Sequence, residues 1–419
     1  AVLGVGAGLV AATGAAGKTR AVSPLGSPAQ ARAILERYHG FGIKAAGGPG
    51  DIACGEWLEG ELTALGYACV RQPFEVPAFD GTATLSGKDA HAELIPQAIV
   101  QPANLQGRLF FPPQGEGEIA IIDLPYARWS TAKGEVQTRV REAMALGARG
   151  AVLVTTGPSR EALALNTPLD KPLFEIPVAV MSPHDAEPFR WIAAAHGTVR
   201  LTIAGQSFRR KAFNLSATLK RGARRSLVLS TPRSGWFTCA GERGSGLAVW
   251  LLLARWAATA RLPVDLALVA TSGHEYEYAG GEAYIREMAP QPGGAALWVH
   301  LGANVAARDW HERGPSLAPL PSADPQRFLL ASPALIPAAQ AAFAGQAGLE
   351  QVYAADPKQA AGELSSILAA GYDPVIGVFG AHRYHHARND DLRCVSPDLI
   401  PPVANAFAQL ISSTLQKVA

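Results

Sequence analysis

The sequence has little of what marks several functional classes. Its 419 residues carry a formal net charge of only +2, which gives no indication of binding to nucleic acid or another polyanion. Two short basic runs, residues 209–211 and 220–225, are interpreted as solvated loops. No apolar stretch is long and uninterrupted enough to span a bilayer. We therefore expect neither a nucleic-acid partner nor a membrane span.

Cysteine is scarce as well. Cys54, Cys69, Cys239 and Cys394 are too few for a disulfide scaffold, and their pairing does not follow from the sequence. Apolar residues, in contrast, make up 48% of the chain and charged residues 17%, which predicts a large buried core. A chain of this length has room for two or three domains.

The first seventeen residues are small and apolar and end in Ala-Ala-Gly. They look like the apolar and cleavage regions of an export signal, and a flexible tail is the alternative. We assign residues 1–28 to this remnant or tail. On the first interpretation, the protein is periplasmic or secreted.

Predicted helices and buried strands alternate along the remaining chain. Apolar residues recur at helical spacing in residues 28–38 and 245–260. Residues 226–230, 266–270 and 296–301 have the composition of buried strands. This alternation predicts an α/β fold in three layers, with a mostly parallel central sheet.

Residues 85–206 differ in their pattern of predicted elements from the chain on either side. Short apolar strands such as residues 119–123 predict a separate β-rich unit here. The main α/β domain is then discontinuous and consists of residues 29–84 and 207–419. In its first half, Asp51 is expected to cap a second helix.

The most informative segment is residues 272–281, Ser-Gly-His-Glu-Tyr-Glu-Tyr-Ala-Gly-Gly. It directly follows the predicted strand 266–270. Open α/β sheets place their chemistry at the carboxyl ends of strands. His274 and Glu275 are therefore candidate functional residues.

Several motifs together resemble metallopeptidase family 28, which includes zinc aminopeptidases, glutamate carboxypeptidase, glutaminyl cyclases and the transferrin receptor. They are the strand 214–219, the helix opening Ser245-Gly246, the segment 280–284 and the segment 385–390. Residues 143–152 resemble the protease-associated domain, a β-rich insert that would cover or shape a substrate cleft. The resemblance implies a zinc-aminopeptidase-like fold with this insert at residues 85–206.

The resemblance also implies a family site with five ligands for two zinc ions. Glu275 and His386 match ligand positions, and His274 stands at the position of the general base. The bridging aspartate falls on Gly241 or, with a shift of one residue, on Glu242. The remaining ligand positions fall on Thr231, Arg233 and Gly302. A two-zinc mechanism is therefore not expected.

These substitutions lead us to expect no cofactor. A residual zinc site would consist of Glu275, His386 and Glu242, and His274 or His300 could add a nitrogen donor. Such a mixed nitrogen and oxygen set is acceptable to zinc.

Metal-free chemistry could use some of the replacements. His274 could act as a general base or be a structural histidine. Cys239 could be a nucleophile, although a lone cysteine is more commonly an inert core residue. Arg233 and Arg243 could bind a substrate carboxylate or stabilise an oxyanion, or they could only pair with nearby glutamates.

We predict an exported hydrolase that acts on a peptide-like amide or related acyl bond of a small substrate bearing a carboxylate. Its predicted catalytic residues are His274, Cys239 and Glu275. Its predicted substrate-binding residues are Arg233, Arg243, Trp236, Tyr276 and His300. The alternative is a catalytically inactive relative that keeps the cleft for binding. Convergence of His274 with Cys239 or Glu242 around one open cavity would favour the enzyme.

Overall fold

The computed structural model describes residues 25–126, 133–314 and 316–416. Within these ranges the α-helices are α1 (Pro28–Gly40), α2 (Pro49–Ala64), α3 (Lys133–Ala145), α4 (Ala186–Ala194), α5 (Ser245–Thr259), α6 (Ala279–Glu287), α7 (Ile336–Ala342), α8 (Glu363–Ala369) and α9 (Ile400–Leu415). The strands are β1 (Ala68–Gly87), β2 (Ala90–Pro96), β3 (Ala103–Phe110), β4 (Ile119–Asp123), β5 (Gly150–Val154), β6 (Val178–Met181), β7 (Thr198–Leu219), β8 (Ser226–Pro232), β9 (Asp265–Thr271), β10 (Ala295–Leu301), β11 (Arg308–Arg313), β12 (Ser316–Ala323), β13 (Phe328–Ala331), β14 (Val352–Ala354) and β15 (Val375–Phe379).

One large sheet organises the described residues. Its strand order is β1-β2-β6-β5-β4-β3-β7-β9-β8-β10-β15-β13-β14, and β11 and β12 pair separately. The strands β9, β8, β10 and β15 are neighbours and run parallel to one another. Every residue of β8, β9 and β10 is buried. Parallel strands covered on both faces have this composition, which is why the sequence shows them as continuous apolar runs.

Alternate residues of the central strands pack into two different apolar layers. Leu227 and Leu229 of β8 pack in the layer that contains side chains of α1, α2, α5 and α9. Val228, between them, packs in the layer that contains Tyr284 of α6 and Leu364 of α8. Successive side chains of a strand point to opposite faces, so the sheet lies between two helical layers. The predicted α/β fold with a mostly parallel central sheet is confirmed.

The two longest strands form a ribbon that extends into residues 85–206. β1 and β7 pair antiparallel from Ala68 opposite Thr218 to Ser86 opposite Arg200. Beyond the ribbon, β2 to β6 enclose separate apolar clusters of their own, one on each face of their part of the sheet. The assignment of this region to a protease-associated domain, and its boundaries, stay predictions.

Two local predictions were wrong. The helix α2 begins at Pro49 after Gly48, so Asp51 does not cap it. Asp51 is instead fully buried, and its Oδ2 accepts hydrogen bonds from Gly47 N at 2.8 Å and Ser272 Oγ at 2.7 Å. The basic residues 209–211 lie within β7 and not in a loop, because they continue the ribbon with β1.

The apolar residues 1–17, on which the export prediction depends, lie outside the described residues. Of the helices in the described ranges, none combines the length and the apolar character that a membrane crossing requires.

Candidate active site

Segments that follow β8, β9, β10 and β15 meet around a cavity of about 200 Å³. Because these strands are parallel, their carboxyl ends share one edge of the sheet, where α/β folds bind ligands. The polar side chains that line the cavity are Asn166, Arg243, His274, His300, His385 and His386. The aromatic side chains that line it are Tyr278, Phe328 and Phe379. Three predicted site residues, His274, Arg243 and His300, therefore meet in one cavity with the predicted metal ligand His386.

His274 is paired with a carboxylate that sequence reasoning missed. Its Nδ1 lies 3.4 Å from Oε1 of Glu363, the first residue of α8. The same oxygen accepts a hydrogen bond from Thr271 Oγ1 at 2.7 Å. Burial raises the pKa of Glu363, and burial followed by Arg243 lowers the pKa of His274 well below its ordinary value. With Nδ1 directed at Glu363, Nε2 is the nitrogen that His274 can offer to a ligand.

His300 lies on the strand next to β8 and contacts Ser230. Its Nδ1 is 2.9 Å from Ser230 Oγ, which also accepts a hydrogen bond from Trp298 Nε1 at 2.8 Å. The Nε2 atom of His300 is buried, and no described residue provides a hydrogen-bond partner for it. Burial lowers the pKa of His300 to about 4.

Glu242 does not line the cavity, but it contacts His386, which does. His386 Nε2 is 3.2 Å from Glu242 Oε1, and its Nδ1–H donates to the Ala164 carbonyl at 2.9 Å. Arg243 Nη2 lies 2.5 Å from the same Glu242 oxygen. Burial opposes ionisation of Glu242, but Arg243 and His386 outweigh it and hold the pKa of Glu242 well below its ordinary value.

The two residues to which the bridging position could fall, Gly241 and Glu242, have different surroundings. The Glu242 carboxylate contacts His386, whereas a Cβ on Gly241 would lie 2.9 Å from Asp390 Oδ1. Asp390 accepts hydrogen bonds from the backbone N–H of Gly241 at 2.7 Å and of Glu242 at 3.0 Å, and so fixes this turn. Position 242 therefore carries the acidic group.

Glu275 occupies a different environment from Glu242 and His386. Its two carboxylate oxygens accept hydrogen bonds from Ala46 N at 2.6 Å and from Ser234 Oγ at 2.8 Å. Its own carbonyl accepts from Thr167 N at 3.1 Å. Burial raises the pKa of Glu275. Through these hydrogen bonds, Glu275 connects the turn 272–281 to the segments around residues 46, 167 and 234.

Arg233 is fully buried beneath the site and does not line the cavity. Its Nε lies 2.9 Å from Asp51 Oδ1, and its two terminal nitrogens donate to the carbonyls of Ala270 and Phe213 at 2.7 and 2.6 Å. This network satisfies a charge that would otherwise be very unfavourable in the interior.

Cys239 is buried at a left-handed backbone position before the turn that carries Glu242. Burial, followed by the charges of Glu242 and Asp390, raises the pKa of its thiol well above the ordinary value. A nucleophilic cysteine needs the opposite environment, one that favours thiolate. The structure does not place Cys239 in the cavity lining.

Trp236 and Tyr276 line a second cavity, of about 320 Å³, with Arg210 and apolar residues of the neighbouring region. Their rings pack edge to face with centroids 5.8 Å apart. Trp236 Nε1 donates to Asn166 Oδ1 at 3.0 Å, and Asn166 lines the first cavity. The two predicted aromatic residues therefore lie beside the site but not with His274.

Three positions at which the family resemblance implies zinc ligands carry no free ligand group here. Thr231 uses its hydroxyl to donate to the Leu301 carbonyl at 2.9 Å, Arg233 is paired with Asp51, and Gly302 has no side chain. A single divalent ion fits by residue type, because Glu242, His385 and His386 bring donor atoms within 4.8 Å of one another. Glu275 is not part of this group.

The site residues that were not predicted from the sequence differ in the strength of their sequence signal. His385 is adjacent to His386 in the sequence, so the pair of histidines was a signal. Glu363 has no motif around it, and its partner His274 is 89 residues away in the chain. Ser230 and Trp298 lie within predicted strands, and nothing in the sequence distinguishes them from other strand residues.

No protein-family model matches this sequence, and no curated protein matches it. Solved structures do match. A zinc aminopeptidase from Bacillus subtilis has a TM-score of 0.72 and 14% sequence identity, over 92% of this chain and 95% of that chain. A peptidase M28 precursor from Shewanella amazonensis has a TM-score of 0.70 and 18% identity, over 92% and 93%. An aminopeptidase from Aneurinibacillus sp. strain AM-1 has a TM-score of 0.66 and 15% identity, over 93% and 94%. This chain therefore has the zinc-aminopeptidase fold that its motifs indicated.

Proposed function

We propose that this chain is a hydrolase of peptide-like amide or related acyl bonds, with His274 as its general base. The observation that carries the proposal is the pairing of His274 with Glu363 at the wall of the cavity. Fold likeness alone does not define an activity, so the proposal depends on this geometry.

Glu363 would hold His274 in the tautomer that carries its proton on Nδ1. The unprotonated Nε2 would then accept a proton from a water molecule as the water oxygen attacks the substrate carbonyl. When the tetrahedral intermediate collapses, the leaving amine would take that proton back from His274. This arrangement uses the same principle as an orienting carboxylate behind a catalytic histidine in other hydrolases.

The rest of the cavity supports a small substrate with a carboxylate and an apolar side chain. Arg243 lines the cavity, and its guanidinium has enough N–H groups to donate hydrogen bonds to both Glu242 and a ligand. Phe328, Phe379 and Tyr278 supply an apolar wall. Asn166 reaches the cavity from the region 85–206, which would therefore shape the cleft.

A single zinc ion held by Glu242, His385 and His386 would add Lewis acidity towards a substrate carbonyl. Export to the periplasm or the medium is part of the proposal and depends on residues 1–17.

The test is hydrolysis of N-acetylphenylalanine and a panel of N-acyl amino acids, followed by amine release. Glu363→Gln keeps the shape of the side chain but removes its charge, and we expect kcat to fall by about 10²–10⁴-fold. Glu282→Gln, an exposed change on α6, is the matched control and should leave kcat unchanged. An active Glu363→Gln variant would refute the role of His274.

The alternative function is that of a binding protein without catalysis. It is favoured by the pairing of Arg243 with Glu242, which fills part of the former metal site. It predicts that N-acetylphenylalanine binds in an Arg243-dependent way but that no member of the panel is hydrolysed.

A further inference from the structure

The register of two parallel strands builds a hydrogen-bonded chain behind the cavity. His300 of β10 is the direct partner of Ser230 of β8, so their side chains lie on the same face of the sheet. Trp298 precedes His300 by two residues and shares that face. Trp298 Nε1 lies 2.8 Å from Ser230 Oγ, which lies 2.9 Å from His300 Nδ1. All three residues are buried.

The hydrogen bonds of Trp298 and Ser230 indicate which nitrogen of His300 carries the proton. An indole N–H can only donate, so Ser230 Oγ accepts from Trp298. We assign the one hydrogen of the Ser230 hydroxyl to Nδ1 of His300, which then accepts it. In a neutral imidazole the proton therefore resides on Nε2.

His300 is one of the residues that line the cavity. Its Nε2 atom is buried and has no hydrogen-bond partner among the residues that the structure describes. A Cβ built on Gly302, which also lines the cavity, would lie 3.5 Å from it. The same Cβ would lie 2.6 Å from the carbonyl oxygen of Val378, so there is no room at position 302 for a side chain that could accept from Nε2. A buried N–H without a partner is unfavourable, so a ligand acceptor placed there would be stabilised.

Burial keeps His300 uncharged at neutral pH, since it lowers the pKa to about 4. The groups that face it and contribute to that value are Glu363, His274 and Arg243. A neutral imidazole can donate to a carbonyl oxygen without giving up its proton.

We propose that the Nε2–H of His300 is a fixed hydrogen-bond donor for the substrate carbonyl oxygen, with Ser230 as the positioning residue that sets its tautomer. His274 has the opposite arrangement, because Glu363 faces its Nδ1 and leaves Nε2 as an acceptor. One imidazole of the cavity thus accepts a proton while the other stabilises the developing oxyanion. The catalytic part of this inference rests on the proposed hydrolase, but the tautomer does not.

The first test is the tautomer, measured by NMR on protein labelled with ¹⁵N-histidine. The His300 signals are identified by their loss in the His300→Gln variant. We expect a protonated Nε2 and an unprotonated Nδ1, and in Ser230→Ala we expect a mixture of both tautomers. A protonated Nδ1 in the wild-type protein would overturn the proposal, whatever the activity.

The second test adds N-acetylphenylalanine. We expect the Nε2–H signal of His300 to shift on binding, and kcat to fall by about 100- to 1,000-fold in His300→Phe, which cannot donate. His300→Gln, whose amide can donate, should lose much less. If the probe binds and shifts Nε2–H but is not hydrolysed, the hydrolase proposal fails and the carbonyl-binding role stands. If the probe binds without any shift at His300, this inference fails.

Discussion

Arg243 and Glu242 form a buried pair in which Nη2 lies 2.5 Å from Oε1, and each side chain is only 1% exposed. The family resemblance places the carboxylate that bridges two zinc ions at Gly241 or, with a shift of one residue, at Glu242. The guanidinium thus supplies, on the protein itself, part of the positive charge that such a carboxylate would otherwise receive from metal. It also competes with any ion for the same oxygen, because like charges at this distance repel strongly in a buried site.

Removal of Arg243 should therefore increase the affinity for a divalent metal. Glu242, His385 and His386 would remain as donors, and the competing charge would be gone. In Arg243→Gln we expect zinc to raise the melting temperature by several degrees more than in the wild-type protein, since a ligand that binds the folded state stabilises it. Thermal unfolding with and without zinc, and equilibrium dialysis, measure the effect.

Arg255→Gln is the control for this experiment, because Arg255 pairs with Glu61 away from the cavity and is about one-third exposed. Tight binding of one zinc ion to the wild-type protein, unchanged in Arg243→Gln, would contradict the competition between arginine and metal.

The thiol of Cys239 should be unreactive in the folded protein. Burial raises its pKa well above the ordinary value, and alkylating reagents react with thiolate. We expect iodoacetamide at pH 8 to modify Cys69, which is partly exposed, before Cys54, Cys239 or Cys394. Mass spectrometry of peptides from native and urea-unfolded protein gives the order. Fast labelling of Cys239 in the native state would restore it as a candidate nucleophile.

The buried pair of Arg233 and Asp51 should be among the largest single contributions to stability at the site. Arg233→Met leaves the Asp51 carboxylate in the interior without its cation, which typically costs about 3–5 kcal/mol. The double variant Arg233→Met/Asp51→Ala should be destabilised by less than the sum of the two single changes, since it removes both charges. Urea unfolding measures these free energies.

Arg190 and Asp123 form the matched control, because both are substantially exposed. Arg190→Met should change the unfolding free energy by less than about 1 kcal/mol. A similarly small effect of Arg233→Met would show that the buried pair does not hold the loops of the site.

The sequence was sufficient for the fold because the relevant signals are local. The strands β8, β9 and β10 are runs of buried apolar residues, and the turn 272–281 follows one of them directly. A buried strand and the polar turn after it are adjacent in the chain, so their relation can be seen without a structure. The position of His274 at the edge of the sheet follows from this.

The partners of the site residues could not be found in this way. Arg233 pairs with Asp51 from 182 residues away, and His274 pairs with Glu363 from 89 residues away. Arg233 was predicted to bind substrate because a guanidinium near the site has that capacity. Its contacts are instead with the buried Asp51 carboxylate and with backbone carbonyl oxygens. Such choices depend on which groups the packing brings together, and no local pattern records them.

The low pKa of His300 has a consequence for stability that does not depend on substrate. Burial lowers this pKa from an ordinary value of 6.5 to about 4. The unfolded chain therefore binds a proton at His300 between pH 6.5 and pH 4 while the folded protein does not. Stability from this group is complete above pH 6.5 and decreases as the pH falls towards 4, by about 3 kcal/mol in total, because each pKa unit corresponds to about 1.4 kcal/mol.

His300→Gln removes this titration and is the comparison that isolates it. Other buried histidines, such as His274 and His385, also have lowered pKa values and contribute to acid sensitivity in both proteins. We expect the difference in unfolding free energy between the wild-type protein and His300→Gln to shift by about 3 kcal/mol against the wild type from pH 7 to pH 4. Urea unfolding at pH 7, 5.5 and 4 measures it. A difference independent of pH would mean that His300 accepts a proton as easily in the folded state as in water, which is incompatible with a buried neutral donor.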